Sequence, residues 1–339
     1  MKPLQRVLLA HGGGGRLTRQ LVEELFLPAL ENPFLATLTD GALLPELPPG
    51  RPALTTDAFV VDPPVFAGGD LGYLSICGTV NDLAMVGARP LYLTWALVLE
   101  EGAEGALVAT CTEGAARAAA EAGVAVVAGD TKVVPRGKGD RLFAVTAGLG
   151  VAPPGRDLRD DRIRPGDVVI ASGPLGDHGA TVMAHRHGLD APHLASDCRP
   201  LSGLVEALCD SGAAVHSLHD PTRGGAVAIC HEVAGRSGLR VRLVETDLPI
   251  RPEVATVCDL LGLEALSLAC EGRLLAWVDG GHAELAVAAM QAHPDGVEAA
   301  VVGRMEELPA GAPPVLLETA VGGERPLDLL SGHELPRIC

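Results

Sequence analysis

Seven short stretches of the sequence concentrate side chains able to do chemistry. Thr55-Thr56-Asp57, Asn81-Asp82 and Gly129-Asp130-Thr131-Lys132 each set a carboxylate inside or at the end of a segment that reads as strand or helix. Mg²⁺ takes hard oxygen ligands, commonly a few carboxylates with phosphate and water, so Asp57, Asp82 and Asp130 form a candidate metal set. His11-Gly12-Gly13-Gly14-Gly15-Arg16 places Gly12, Gly13, Gly14 and Gly15 just before a helical pattern. Backbone N–H groups of such a run can close around phosphate oxygens. It matches neither the Walker A loop nor GxGxxG. Each stretch alone has a plainer reading, the glycines as a turn and the acids as caps or paired core groups. Together they read as a Mg-nucleotide site.

The other three stretches add a phosphate-facing turn, an acid and a thiol. Lys132 belongs to a chain with only three lysines, the others being Lys2 and Lys138. Directly after Gly-Asp-Thr it can balance phosphate charge, or act as a base if its pKa is depressed. His219-Asp220-Pro221-Thr222-Arg223-Gly224-Gly225 precedes a helix. Asp220 is a candidate nucleotide contact, and equally an N-cap with Pro221 at the first helical position. Glu271, in Cys270-Glu271-Gly272-Arg273, reads as a general base or a surface acid. Cys339 closes the segment Pro336-Arg337-Ile338-Cys339. A thiol on a long terminal segment suits carrying a chemical group, and the 22 residues from Glu318 reach up to about 70 Å when extended.

These residues need a scaffold, and the hydrophobic pattern supplies an alternating one. Helical spacing runs over 16–30, 70–86 and the Ala-rich 103–122, with Gly123 suited to a C-terminal cap. Strand patterns cover 53–61, 91–99, 124–128 and 142–149. A stretch rich in Pro, Gly, Asp and Arg at 151–165 breaks the alternation and reads as a boundary. A second α/β unit follows, with strands at 168–172, 239–244, 274–278 and 297–302. Its helices are expected at 177–187, 199–211, 223–237, 252–261 and 282–293. The organisation expected is an N-terminal unit at 1–152, a C-terminal unit at 153–317 and a mobile tail at 318–339.

Composition excludes several classes of function. The formal net charge is −17 and the pI about 5.0, against a general nucleic-acid binder, which needs a clustered basic surface. No apolar run approaches the length of a membrane span, and Val7–Ala10 is too short for a signal-peptide core. The eight cysteines are scattered without a CxxC pair, so reduced thiols in a cytoplasmic protein are expected.

The whole chain resembles the HypE family of nickel–iron hydrogenase maturation proteins. The resemblance is carried by HGGGGR (11–16), TTDAFVVDPPVF (55–66), GGDLGYLSICGTVNDLAMVGARPLYL (68–93), GDTKVV (129–134), HDPTRGG (219–225), CEG (270–272) and PRIC (336–339). It implies the two-domain α/β fold of aminoimidazole ribonucleotide synthetase and selenophosphate synthetase, with N-terminal sheets pairing across a homodimer. It implies ATP and Mg²⁺ as cofactors. It implies ATP-driven dehydration of a carbamoyl group on Cys339 to an S-bound cyano group. A HypF-type carbamoyltransferase would load the cysteine, and a HypC–HypD complex would take the cyanide onto iron. Lys132 and Glu271 are then the candidates for proton removal or for orienting the carbamoyl nitrogen. Two other readings compete: a selenophosphate synthetase-like enzyme, and a non-enzymatic carrier of a group on Cys339. The first would place its reactive cysteine near the N-terminus, where no Cys precedes Cys77.

Overall fold

The computed structural model describes residues 4–329 and 337–339. An N-terminal helical segment comprises α1 (Arg16–Leu21), a π-helical turn over Val22–Phe26 and α2 (Leu27–Leu30). The first sheet uses β1 (Arg51–Phe59), β4 (Arg89–Glu100), β5 (Ala125–Val134) and β6 (Leu142–Ala152) in the order β1-β6-β4-β5. A small ribbon of β2 (Val65–Phe66) and β3 (Gly69–Asp70) leads into α3 (Leu71–Met85), and α4 (Gly105–Ala122) joins β4 to β5. This α-helical crossover is what makes β4 and β5 parallel, while β6 runs antiparallel to both its neighbours.

Helices α3 and α4 cover one face of this sheet. Asp70 caps α3 by accepting from the Tyr73 N–H at 3.0 Å, and Gly123 ends α4 in the left-handed conformation, φ 67°. Nearly every residue of α3 is buried, because the helix lies between the first sheet and the second half of the chain. A helix buried all round is expected to be apolar throughout, which makes Asn81 and Asp82 within it conspicuous. The other face of the sheet is bare: Leu54 is 78 % exposed and Val145 40 %.

The second half is built on a seven-stranded sheet. Its elements in chain order are β7 (Val168–Ala171), α5 (Asp177–Arg186), α6 (Ser202–Asp210), β8 (Val215–His219), α7 (Gly225–Ser237), β9 (Leu239–Val244), α8 (Pro252–Leu261), β10 (Leu275–Val278), α9 (Ala283–Gln291), β11 (Ala300–Glu307), β12 (Val315–Glu318) and β13 (Glu324–Pro326). The strand order is β13-β12-β9-β11-β7-β10-β8, with only β12 and β9 parallel. Its core gathers around Trp277, Val169, Leu243 and Met305. No helix among the described residues is long and apolar enough to cross a membrane.

Three local expectations are corrected. Gly129–Lys132 lies within β5 rather than after a strand, because β4 pairs with it through to Val134. Asp220 is not the cap of α7, whose N-cap is Gly224. The stretch after Glu318 does not lose regular structure at once: β13 pairs with β12, and Leu327 is buried against the second core. The mobile tail expected over 318–339 therefore begins with a strand pair, and residues 330–336 lie outside the described residues.

Candidate functional site

Residues from five distant stretches converge between the two halves. Asp57 on β1, Asp82 on α3, Asp220 after β8, Glu271 before β10 and Cys339 line one cavity of about 140 Å³, together with Thr222 and Arg223. Strand β1 packs on α3 through its inward face, which brings Asp57 and Asp82 together. Thr55 donates its hydroxyl to Asp82 at 2.8 Å, and the Ala58 N–H donates to Asp57 at 2.7 Å. Asn81 ties α3 to the second half. Its amide donates to the Arg199 and Glu271 carbonyls at 3.1 and 3.2 Å, and its oxygen accepts from the Leu201 N–H at 2.7 Å. The adjacent residue, Asp82, is thereby held facing the Glu271 loop.

Asp197 builds that loop. Its carboxylate accepts from the backbone N–H of Glu271 (3.2 Å) and of Gly272 (3.3 Å). A side chain at Gly272 would put Cβ 1.8 Å from the Asp197 carbonyl oxygen, so this approach requires glycine. The Glu271 side chain is buried, at 2 % exposure, and its Oε1 has no hydrogen-bond partner.

The cavity is strongly anionic and short of counter-charge. Burial raises the pKa of Asp57 and Asp82, the latter also through the charge of Asp57. Burial and then Asp82 push Asp220 up to about 7. Glu271 is held well above the carboxylate range by burial and then by Asp220 and the other acids. The Cys339 thiol is pushed up by burial first and Glu271 second, and Arg223 opposes it. Carboxylates that raise one another in this way are a donor set suited to a hard divalent cation. Among the described residues no three His, Cys, Asp or Glu side chains already stand in a closed ligating group.

The remaining predicted residues lie apart. Asp130 and Lys132 pair with each other at 2.6 Å on exposed β5, and this bond holds the Asp130 carboxyl below its usual range. Asp130 borders a separate cavity of about 530 Å³ shared with Phe26 and Trp95. The glycine loop is beside it: a Cβ at Gly12 would meet the Val133 N–H nitrogen at 2.7 Å, while Gly13, Gly14 and Gly15 are exposed. One chain thus forms two clusters, the acids with Cys339 and the glycine loop with Asp130 and Lys132.

Sequence reasoning passed over Arg223 and Asp197. Arg223 was legible, since it sits inside the HDPTRGG stretch. Asp197 carries no motif, and its role depends on backbone donors that only the fold brings to it.

Comparison with known proteins is consistent along the whole chain. Residues 39–152 match the AIR synthase related protein, N-terminal domain, and residues 164–313 the AIR synthase related protein, C-terminal domain. The carbamoyl dehydratase HypE of Rhodobacter capsulatus is 48% identical over 339 residues, covering 99% of this chain and 98% of that protein. The Escherichia coli protein of the same name is 43% identical over 342 residues, 99% and 100% of the two chains. A crystal structure of a HypE in complex with ATP superposes with TM-score 0.93 at 42% identity, covering 98% and 99%. The HypE chain of a HypE–HypF complex gives 0.79 at 40% identity, covering 91% and 99%.

Proposed function

The chain belongs to the HypE family of AIR synthase related proteins, and from that premise we propose which residues carry out its reaction. It is an ATP-dependent carbamoyl dehydratase, converting an S-carbamoyl group to S-cyanide for the active-site iron of a nickel–iron hydrogenase. The reading of the site is carried by one observation, the seating of Cys339 in the acid-lined cavity.

A carbamoyl oxygen is a poor leaving group. Transfer of the ATP γ-phosphoryl to that oxygen converts it to phosphate, and loss of phosphate with both N–H protons leaves sulfur-bound nitrile. Asp57, Asp82 and Asp220 are the residues that would hold Mg²⁺. Bound there, the ion supplies charge neutralisation for phosphoryl transfer. Asp220 replaces Asp130 in this set because it shares the cavity. Cys339 holds the carbamoyl group. Glu271 stands beside it with an unpartnered oxygen, and as the carboxylate it is placed to take up an N–H proton.

The bare sheet face supports a homodimer through residues 1–152. The row Ala58, Val145, Ala96 and Asp130 runs across it in register, and opposed residues on neighbouring strands share a face. Pairing this face with a second copy would cover Leu54 and Val145. It would also bring the edge strand β5, with Asp130, Lys132 and the glycine loop, to the partner's cavity. Lys132 then serves the site of the other copy. The solved HypE–HypF complex supports a HypF-type protein as the one that loads Cys339; a HypC–HypD complex is the proposed acceptor of the cyanide.

The test is mass spectrometry of the carbamoylated protein after incubation with Mg-ATP. Loss of one water at Cys339, stoichiometric with ADP formed, is expected. ADP formation without mass loss would reduce the protein to a carrier with ATP as a conformational ligand.

A further inference from the structure

Residues 337–339 lie between the two halves, paired like a strand with residues 60–62. The Val60 N–H donates to the Cys339 backbone oxygen at 3.1 Å, and the Asp62 N–H to that of Arg337 at 3.2 Å. The Ile338 carbonyl between them is turned into the second half, and Ile338 itself is buried. A buried carbonyl requires a donor.

His178, the second residue of α5 and fully buried, supplies it: Nε2 stands 2.8 Å from the Ile338 oxygen. A carbonyl only accepts, so the ring carries its proton on Nε2. Nδ1 then accepts, and the Ser196 hydroxyl is 2.8 Å away. Ser196 Oγ in turn accepts from the Cys198 N–H at 3.1 Å. Donors and acceptors therefore match along the whole relay from Cys198 through Ser196 and His178 to Ile338. Phe66 holds the imidazole edge-on, with ring centroids 5.2 Å apart at 84°. The mechanism given above uses none of these groups.

We propose that His178, oriented by Ser196, is a positioning residue for the reaction at Cys339: it latches the preceding carbonyl so that the sulfur stands among the cavity acids. This rests on the reading that Cys339 carries the reacting group. The latch grips main chain and leaves the Cys339 side chain free. It therefore fits the thiol, the carbamoyl and the cyano forms equally.

The test measures alkylation of Cys339 by iodoacetamide in the full-length protein without nucleotide, resolved from the other cysteines by peptide mass spectrometry. His178→Leu removes the donor. It is expected to speed labelling about tenfold, the population change that one lost hydrogen bond of ordinary worth produces. His178→Gln, whose amide can still donate, should restore labelling to within about threefold of the parent. Ser196→Ala frees the ring to carry its proton on Nδ1 and should give a smaller increase. Single-turnover dehydration should slow by similar factors while ATP affinity stays within about twofold. Unchanged labelling in a natively melting His178→Leu protein overturns the latch, as does a Gln variant no better than Leu. If the Leu variant fails to fold, the Gln and Ser196→Ala proteins decide by the same labelling. Labelling needs no catalysis: absence of water loss in the parent would refute the function, while labelling that follows His178 would still uphold the latch.

Discussion

Asp177→Asn should stabilise the protein at pH 8 and leave it nearly unchanged at pH 4. Asp177 opens α5 with a buried carboxylate whose Oδ1 has no hydrogen-bond partner. Its other oxygen is 3.1 Å from Arg251, a half-exposed side chain. Asp197 and Glu298 add negative charge around it, and Arg273 adds positive. Burial, and then Asp197, push this carboxyl up to about 6, against about 3.9 in an open chain. Between those values the folded protein keeps a proton that the unfolded chain has released. Stability conferred by that proton is complete below pH ~4 and is lost as pH rises through 6. The loss is the pKa difference times about 1.4 kcal/mol, or ~3 kcal/mol. Asn removes the ionisation at nearly constant size, and the attraction of Arg251 is already contained in the value of about 6. The net gain at pH 8 is then ~3 kcal/mol. Urea unfolding of both proteins at pH 4, 6 and 8 reads it directly. A variant less stable than the parent at pH 8, or a difference that does not change with pH, would refute the reasoning.

Asp82→Asn and Asp220→Asn should each lower Mg-ATP-dependent turnover at least about tenfold by removing a hard anionic ligand; unchanged ADP formation would take that residue out of the metal set. Lys132→Ala mixed with Glu271→Gln should regain about a quarter of parental activity from two inactive proteins, because random pairing leaves one intact site in each mixed dimer. Activity no higher than the sum of the separate variants would place Lys132 and Glu271 in the same copy's site, or Lys132 in none. Leu54→Glu should shift the protein towards monomer in sedimentation at micromolar concentration, since it buries a charge in the paired face; an unchanged sedimentation coefficient would move the dimer contact elsewhere.

Much of the fold was legible because most elements bury one face against one partner. Helix α8 and strand β9 follow the periodic pattern to the residue. Strand β8 was missed because Val215–His219 alternates two histidines and a serine with its apolar residues, and the pattern does not reveal that His216 is satisfied by Asp167 and His219 by Asp160. Strand β13, Glu324–Pro326, is exposed throughout. It owes its form to pairing with β12 rather than to side-chain pattern, so nothing periodic marks it. Within the site, Asp82 stood out as an acid in an otherwise apolar helix, while Glu271 was equally readable as a surface acid. The choice between Asp130 and Asp220 was not legible, because Asp130 sits in β5 and Asp220 just after β8, and only the arrangement of the strands separates them.

That strand order also explains why one copy of the chain leaves its motifs divided. Asp57 registers with Thr146, Thr146 with Trp95, and Trp95 with Gly129. Three strand spacings therefore separate Asp57 from the strand segment of Asp130 and Lys132, about 14 Å at ordinary sheet geometry. A side chain of lysine length does not cross that gap over a packed sheet. The glycine loop is bound to the far strand by its contact with Val133, so it cannot move towards Asp57 without breaking the edge of the sheet. Yet ATP and a carbamoyl group must meet cations and acids at one place. The proposed homodimer would resolve the conflict. Exposed Val145 lies in the row that ends at Asp130, and exposed Leu54 lies on the same face. Burying that face against a second copy would satisfy the hydrophobic requirement and the chemical one in a single contact.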